Sequence, residues 1–250
     1  MGILALDMIT TAAILFAVAS GLMIILGVMK LINFAHGAFL TVGGYTAYLT
    51  TEAALSPWFS IPLAGLFGFL AGLVIERVIM RPLYDRPLDA ILATWGLGII
   101  IGQTITLTFG REVQFAASPL SGTIDIGPID YSVYRLVVTG LAIVLAIALT
   151  ALFRYTRFGL NARAVIMNET LARGLGINSG RVRTITFALG AGLACAAGAL
   201  ITPLLAVDPN MGLPWLVNSF MLVLVSGVSI PGLAVASIIL GSAQVTVSPM

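Results

Sequence analysis

Long apolar runs separated by short polar stretches organise this chain. Seven runs approach the roughly 20 mostly apolar residues that a spanning helix requires, near 9–29, 34–54, 58–79, 89–109, 134–153, 184–205 and 216–246. The last is long and is interrupted by Gly227-Val228-Ser229-Ile230-Pro231-Gly232. Proline and glycine break the helical ladder, so the pattern there predicts two half-helices or one kinked span. The first run is too long for a signal-peptide core and lacks a basic start, so it reads as a retained span. The expected fold class is all-α: a polytopic transmembrane helix bundle of about seven to eight spans, some broken, forming one domain over residues 1–250.

Composition strengthens this picture. The chain is 59% hydrophobic and 9% charged. Soluble domains carry about 25% charged residues, which excludes an aqueous fold. A net charge of +2 gives no support to nucleic-acid binding. The single cysteine, Cys195, lies in a Gly/Ala run and reads as a small packing residue.

Charge placement orients the spans. Arg77, Arg81 and Arg86 cluster in one polar break, and six of the 12 basic residues fall within 154–183. Basic loops stay on the cytoplasmic side, so 77–88 and 154–183 are expected there. Segment 110–133, with one arginine, several glycines, Asp125 and Asp130, is expected outside. Counting spans then puts the amino terminus, Glu52 and Asp208 outside and Lys30 inside. Small residues recur at helix-packing spacing at Gly68 and Gly72, at Gly98 and Gly102, and at Gly190, Ala194 and Gly198. Such rows let backbones approach closely in lipid.

Chemistry is sparse. The only lysine, Lys30, follows Met29, so no Gly-Lys-Ser/Thr nucleotide loop exists, and any ATP used must be bound by another chain. No Gly-x-Ser-x-Gly elbow is present, and one histidine, His36, cannot build a multi-histidine metal site. The densest polar break near the amino terminus is Lys30-Leu31-Ile32-Asn33-Phe34-Ala35-His36-Gly37. It reads either as a turn in which Asn33 caps the next helix or as unwound backbone lining a water-filled path. Tyr45, Gln103 and Asn218 are further candidates for such a path among the few polar residues inside spans. Gln103 and Asn218 read equally as interhelical hydrogen-bond partners. The spans hold no central carboxylate of the kind that ion-coupled carriers keep.

Three stretches resemble a known family. Gly27-Val28-Met29-Lys30-Leu31-Ile32-Asn33-Phe34-Ala35-His36-Gly37-Ala38-Phe39, then Gly43-Gly44-Tyr45, is similar to the amino-terminal signature of the branched-chain amino acid ABC-transporter permeases. It matches the subunit bearing Asn-Phe-Ala-His-Gly. Gly159-Leu160-Asn161-x-Arg163-Ala164, Asn168-Glu169-Thr170-Leu171-Ala172 and Gly174-Leu175-Gly176-Ile177-Asn178, all within 154–183, resemble the family's cytoplasmic coupling loop. Gly232-Leu233-Ala234-Val235 with Gly241 is the third match. Relatives often read Gly-Gly-x-Gly-Ser where this chain has Ser226-Gly227-Val228-Ser229-Ile230 before Pro231, and they usually carry another span and a basic tail beyond the position of Met250.

The resemblance implies a bacterial inner-membrane permease of an importer for branched-chain amino acids or a related small solute. It implies a second permease subunit, two cytoplasmic ATPase subunits that bind ATP-Mg, a periplasmic solute-binding protein and surrounding membrane lipid. Arg163, Asn168, Glu169, Ala172, Gly174 and Gly176 are then the residues expected to couple to the ATPase. The alternative is a stand-alone channel or secondary carrier for a small neutral solute such as urea or an amide. A long helical loop distinguishes the two, because a channel has no use for one.

Overall fold

The computed structural model describes residues 2–126 and 129–247. Among them ten α-helices run in chain order. They are α1 (Gly2–Met29), α2 (His36–Glu52), α3 (Ser60–Ile75), α4 (Pro87–Phe109), α5 (Val133–Tyr155), α6 (Arg157–Met167), α7 (Glu169–Gly174), α8 (Ser179–Leu205), α9 (Gly212–Ser226) and α10 (Ile230–Val247). A π-helical segment, Glu76–Met80, extends α3. Six helical stretches are long and apolar enough to cross a membrane. The all-α, polytopic reading of the sequence therefore holds.

The break expected in 216–246 is present as two helices, and one element is unexpected. The interrupted segment 216–246 is two helices, α9 and α10, separated at Gly227, whose φ is 63°. The glycine-rich stretch before α5 holds a small antiparallel hairpin, β1 (Thr123–Ile126) with β2 (Ile129–Ser132), which the apolar pattern does not announce. Its strands are too short to carry a periodic signal. The expectation concerning Met250 lies outside the described residues.

The bundle is apolar on its surface as well as in its core. α1 and α8 are mostly buried, while α3, α4, α5 and α10 each turn a face outward. Leu66, Leu70 and Val74 on α3, Ile143 and Ile147 on α5, and Ile238 and Ile239 on α10 are all exposed. Such belts suit hydrocarbon and not water. The core is built on close backbone approach around α8, which packs against α1, α2 and α3. A Cβ added at Gly43 would strike the Cys195 carbonyl oxygen, and one at Gly198 would strike that of Leu40. Gly190 faces Ile25 and the Gly21 carbonyl of α1, and Gly68 and Gly72 face Cys195, Ala191 and Ala188. Apolar burial drives little in lipid, so this contact is what joins the helices.

The third small-residue pair behaves differently. A Cβ at Gly102 would meet nothing within 4 Å, and one at Gly98 only ordinary contacts with Phe34 and Ala35. That pair opens space instead of closing it.

Candidate functional site: a polar cavity between two half-helices

The amino-terminal motif forms half of the site. Lys30 turns the chain after α1 with a positive φ of 54°. The backbone then runs without regular structure to His36, whose Nε2 donates to the Val18 carbonyl at 2.9 Å. Val18 precedes the end of α1 by three turns, roughly 16 Å, so α2 starts deep in the bundle. Asn33 shapes this entry. Its Oδ1 accepts from Ala35 N at 3.1 Å, and its backbone carbonyl accepts from His36 N at 3.4 Å. Phe34 N donates to Thr94 Oγ1 of α4 at 3.2 Å. Asn33 Nδ2 and His36 Nδ1 are buried with no hydrogen-bond partner among the described residues.

α9 forms the other half. Ala206, at φ 66°, reverses the chain after α8, and Val207 pairs with Gln114 to tie the two connecting loops together. Asp208 starts the next turn, its Oδ1 accepting from Asn210 N at 2.8 Å. Gly212 N donates to Thr41 Oγ1 of α2 at 3.2 Å. The approach is so close that a Cβ on Gly212 would hit the Gly37 carbonyl. With 17 and 15 residues, α2 and α9 are each shorter than a full span. Their amino-terminal ends meet at the same depth.

A cavity of about 370 Å³ lies at that meeting point. Gly37, Ala38 and Thr41 of α2 line it, as do Gly98, Gly102, Gln103 and Thr106 of α4, then Arg111, Asp208 and Asn210. The absence of side chains at Gly98 and Gly102 makes the room. Phe39 N bonds the Ala35 carbonyl at 3.0 Å. Backbone N–H groups of the turn before it therefore lie outside the helix ladder, beside the cavity. Irregular backbone at this depth is tolerated where it borders such a cavity.

The five residues singled out for a path are not all here. Gln103 lines the cavity. Asn33 and His36 stand behind it, building the break. Tyr45 is buried against Phe109, with ring centroids 4.8 Å apart, and borders a separate apolar cleft. Asn218 accepts from Gln244 Nε2 at 3.3 Å, joining α9 to α10. Sequence reasoning passed over Arg111, Asp208 and Asn210 as loop residues. The polar break Asp208-Pro209-Asn210 was their only signal.

The coupling-loop residues are folded into two helices. Asn168 separates them and caps α7, its Oδ1 accepting from Leu171 N at 3.0 Å. Gly176, at φ 85°, ends α7: its N–H reaches Arg173 O and that of Ile177 reaches Ala172 O, both at 3.0 Å. This is the Schellman closure that glycine permits. Gly174 is the last residue of α7. Glu169 pairs with Arg173 at 2.6 Å and with Arg183 of α8. Burial raises the Glu169 carboxyl pKa, but Arg183, the Ser179 hydroxyl and Arg173 together bring it below the ordinary glutamate value. Ala172 is buried among Val28, Ala162, Val165 and Val182. It packs the loop against the bundle, because α7 turns its small face inward. Met167, Leu171 and Leu175 are the residues turned out. Arg163 is also exposed and lines a groove with Arg154.

Two short helices meeting at a polar cavity inside a bundle with hydrocarbon-suited faces are consistent with a membrane-transport architecture. The family model described as the branched-chain amino acid transport system / permease component matches residues 4–250. The chain belongs to that family. The high-affinity branched-chain amino acid transport system permease protein LivH of Escherichia coli (strain K12) is 29% identical over 245 residues, covering 91% of this chain and 79% of LivH. BraD of Pseudomonas aeruginosa, named in the same words, is 27% identical over 244 residues, covering 91% of this chain and 80% of BraD. LivM of Salmonella typhimurium, another permease protein of that system, is 24% identical over 220 residues, covering 78% of this chain and 51% of LivM. No solved structure matches. The chain is thus a multi-pass membrane permease component and not an enzyme.

Proposed function

We propose that this chain is a permease subunit of an ATP-driven, binding-protein-dependent importer of branched-chain amino acids or a closely related small solute, resident in a bacterial inner membrane. The observation that carries this reading is the polar cavity where α2 and α9 begin, in a chain matched by the permease family along its length. Arg111 and Asp208 give the cavity one positive and one negative group at its outer wall. That pair suits a zwitterion, whose carboxylate and ammonium need opposite partners. Deeper in, Gly37, Ala38, Gly98 and Gly102 leave an uncharged passage that suits an aliphatic side chain.

The solute arrives from a periplasmic binding protein at the Arg111 and Asp208 end. A second permease subunit completes the path, a reading supported by the similarity to both LivH and LivM. Two cytoplasmic ATPase subunits bind ATP-Mg, and one docks on the exposed Met167, Leu171 and Leu175 of the α6–α7 segment. Nucleotide-driven motion of α7 is delivered to α8 through Glu169 and Arg183. That motion rocks the bundle about the cavity.

Reconstitution with the partner subunits tests this. Uptake of labelled leucine is expected only with ATP and binding protein together, and Arg111→Gln is expected to lower it while folded protein remains. Leucine or urea flux through the permease alone, without ATP, would instead identify a channel.

A further inference from the structure

A second polar cavity, of about 350 Å³, lies at the arginine-rich end, away from the α2–α9 site. Arg77 and Arg81, beyond α3, and Arg181 of α8 line it with Asn178, Gly180, Thr184 and Ile185. Of the other arginines at this end, Arg86 pairs with Asp89 and Arg173 and Arg183 pair with Glu169, while Arg154, Arg157 and Arg163 stand unpaired among the described residues but do not line this cavity. Arg77, Arg81 and Arg181 form no ion pair with any described residue. Three like charges around one cavity repel each other unless an anion sits among them. Guanidinium groups bind phosphate oxygens through forked donors. Asn178 and Thr184 add polar side chains to the wall.

The apolar surroundings identify the source of the phosphate. Val74 and Val78, on the helical run carrying Arg77, and Ile185, beside Thr184, are exposed. Ile185 lines the cavity, and Val74 and Val78 flank the cavity-lining Arg77 along the same helical run, on helices that elsewhere face hydrocarbon. A soluble anion would use the arginines and leave these apolar side chains bare. A lipid headgroup would use both, its acyl chain lying along the valines. A basic pocket between helices at the cytoplasmic surface is a recognisable lipid-headgroup site. We propose that the Arg77–Arg81–Arg181 cavity binds the phosphate of an anionic glycerophospholipid. This rests on the cytoplasmic placement of that end, and it does not depend on which solute is transported.

The test uses the delipidated full chain in neutral detergent with phosphatidylglycerol and phosphatidylcholine added in equal amounts. Native mass spectrometry counts what is retained. Wild type is expected to keep phosphatidylglycerol over phosphatidylcholine. The double variant Arg77→Gln/Arg181→Gln is expected to lose about fivefold in affinity per arginine removed, the equivalent of ~1 kcal/mol each. Arg157→Gln, an exposed arginine at the same end, is expected to change nothing. Equal retention of the two lipids by wild type would overturn the proposal even if the double variant fails to fold. Undiminished phosphatidylglycerol retention in a folded double variant would overturn it too. Displacement of the lipid by inorganic phosphate at matched concentration would assign the cavity to a free anion. A double variant that keeps the lipid but loses a copurifying ATPase would assign it to a protein.

Discussion

Arg183 holds the carboxylate of Glu169 across a helix boundary, 14 residues apart in sequence. Its guanidinium also lies over the Tyr84 ring, 4.5 Å from the centroid, and the Tyr84 hydroxyl donates to Glu76 of the π-helical segment. A short α7 could hardly hold its place alone, since an isolated helix of six residues is far below the length that is stable in water. The pair therefore does two things. It fixes α7 on the bundle, and it joins α7 to α8 and the end of α3.

This pair sets a pH dependence. The folded Glu169 carboxyl titrates below its unfolded value, so the stability it gives is complete above the usual glutamate pKa. That contribution is lost as pH falls through the folded value. The protection factors of residues 169–177, which correct for the intrinsic pH dependence of exchange, are expected to fall as pH drops below about 4.5. Glu169→Gln is expected to exchange fast at neutral pH and to lack that acid step. Slow exchange in the glutamine variant at pH 7 would mean the cap and the Schellman turn suffice without the ion pair.

The His36 ring is a structural part of the break. Its Nε2 bond to the Val18 carbonyl is fully buried, and Gly21 leaves room for the ring. Removing the ring loses that bond, worth about 0.5–1.5 kcal/mol because the Val18 carbonyl keeps its helical partner, and leaves a void where the fully buried ring packed. His36→Ala is expected to lower folded yield and leucine uptake together. Normal yield with uptake abolished would place the ring on the solute path instead.

The outer wall of the cavity gives a charge test. Arg111→Glu would set a second carboxylate beside that of Asp208, where the site has one charge of each sign. Uptake by that variant is expected to fall well below that of Arg111→Gln, measured at equal membrane levels. Equal uptake by the two would show that Arg111 contributes bulk and not charge.

Much of the fold was legible in the sequence because lipid demands long apolar runs, and those are hard to hide. The interruptions at Lys30–Gly37 and Gly227–Gly232 were legible too, as local clusters of polar, glycine and proline residues. Depth was not. Nothing in Asn33-Phe34-Ala35-His36 says that the chain turns back beside Val18, since that follows from tertiary packing on α1. Arg111 and Asp208 lie in loops far apart in sequence, so only the fold brings them to one cavity. Ala172 was legible as part of a loop, but its inward face was not. A run so short has no period to reveal which side is covered.

Glycine spacing was the most ambiguous signal, and it yields the sharpest contrast. Gly43 and Gly102 both sit in apolar helices and look alike in sequence. A methyl at Gly43 runs into the Cys195 carbonyl, backbone that cannot move aside, whereas one at Gly102 enters open space. Gly43→Ala is expected to cost about 1–3 kcal/mol by overpacking and to reduce the yield of folded protein. Gly102→Ala is expected to fold at least as well as wild type, since alanine favours a helix interior over glycine by about 0.5–1 kcal/mol. Gly102→Leu would project into the cavity beside Gln103. It is expected to leave folding intact, as read by melting in detergent, while leucine uptake falls steeply. Wild-type uptake through a folded Gly102→Leu variant would remove this cavity from the transport path.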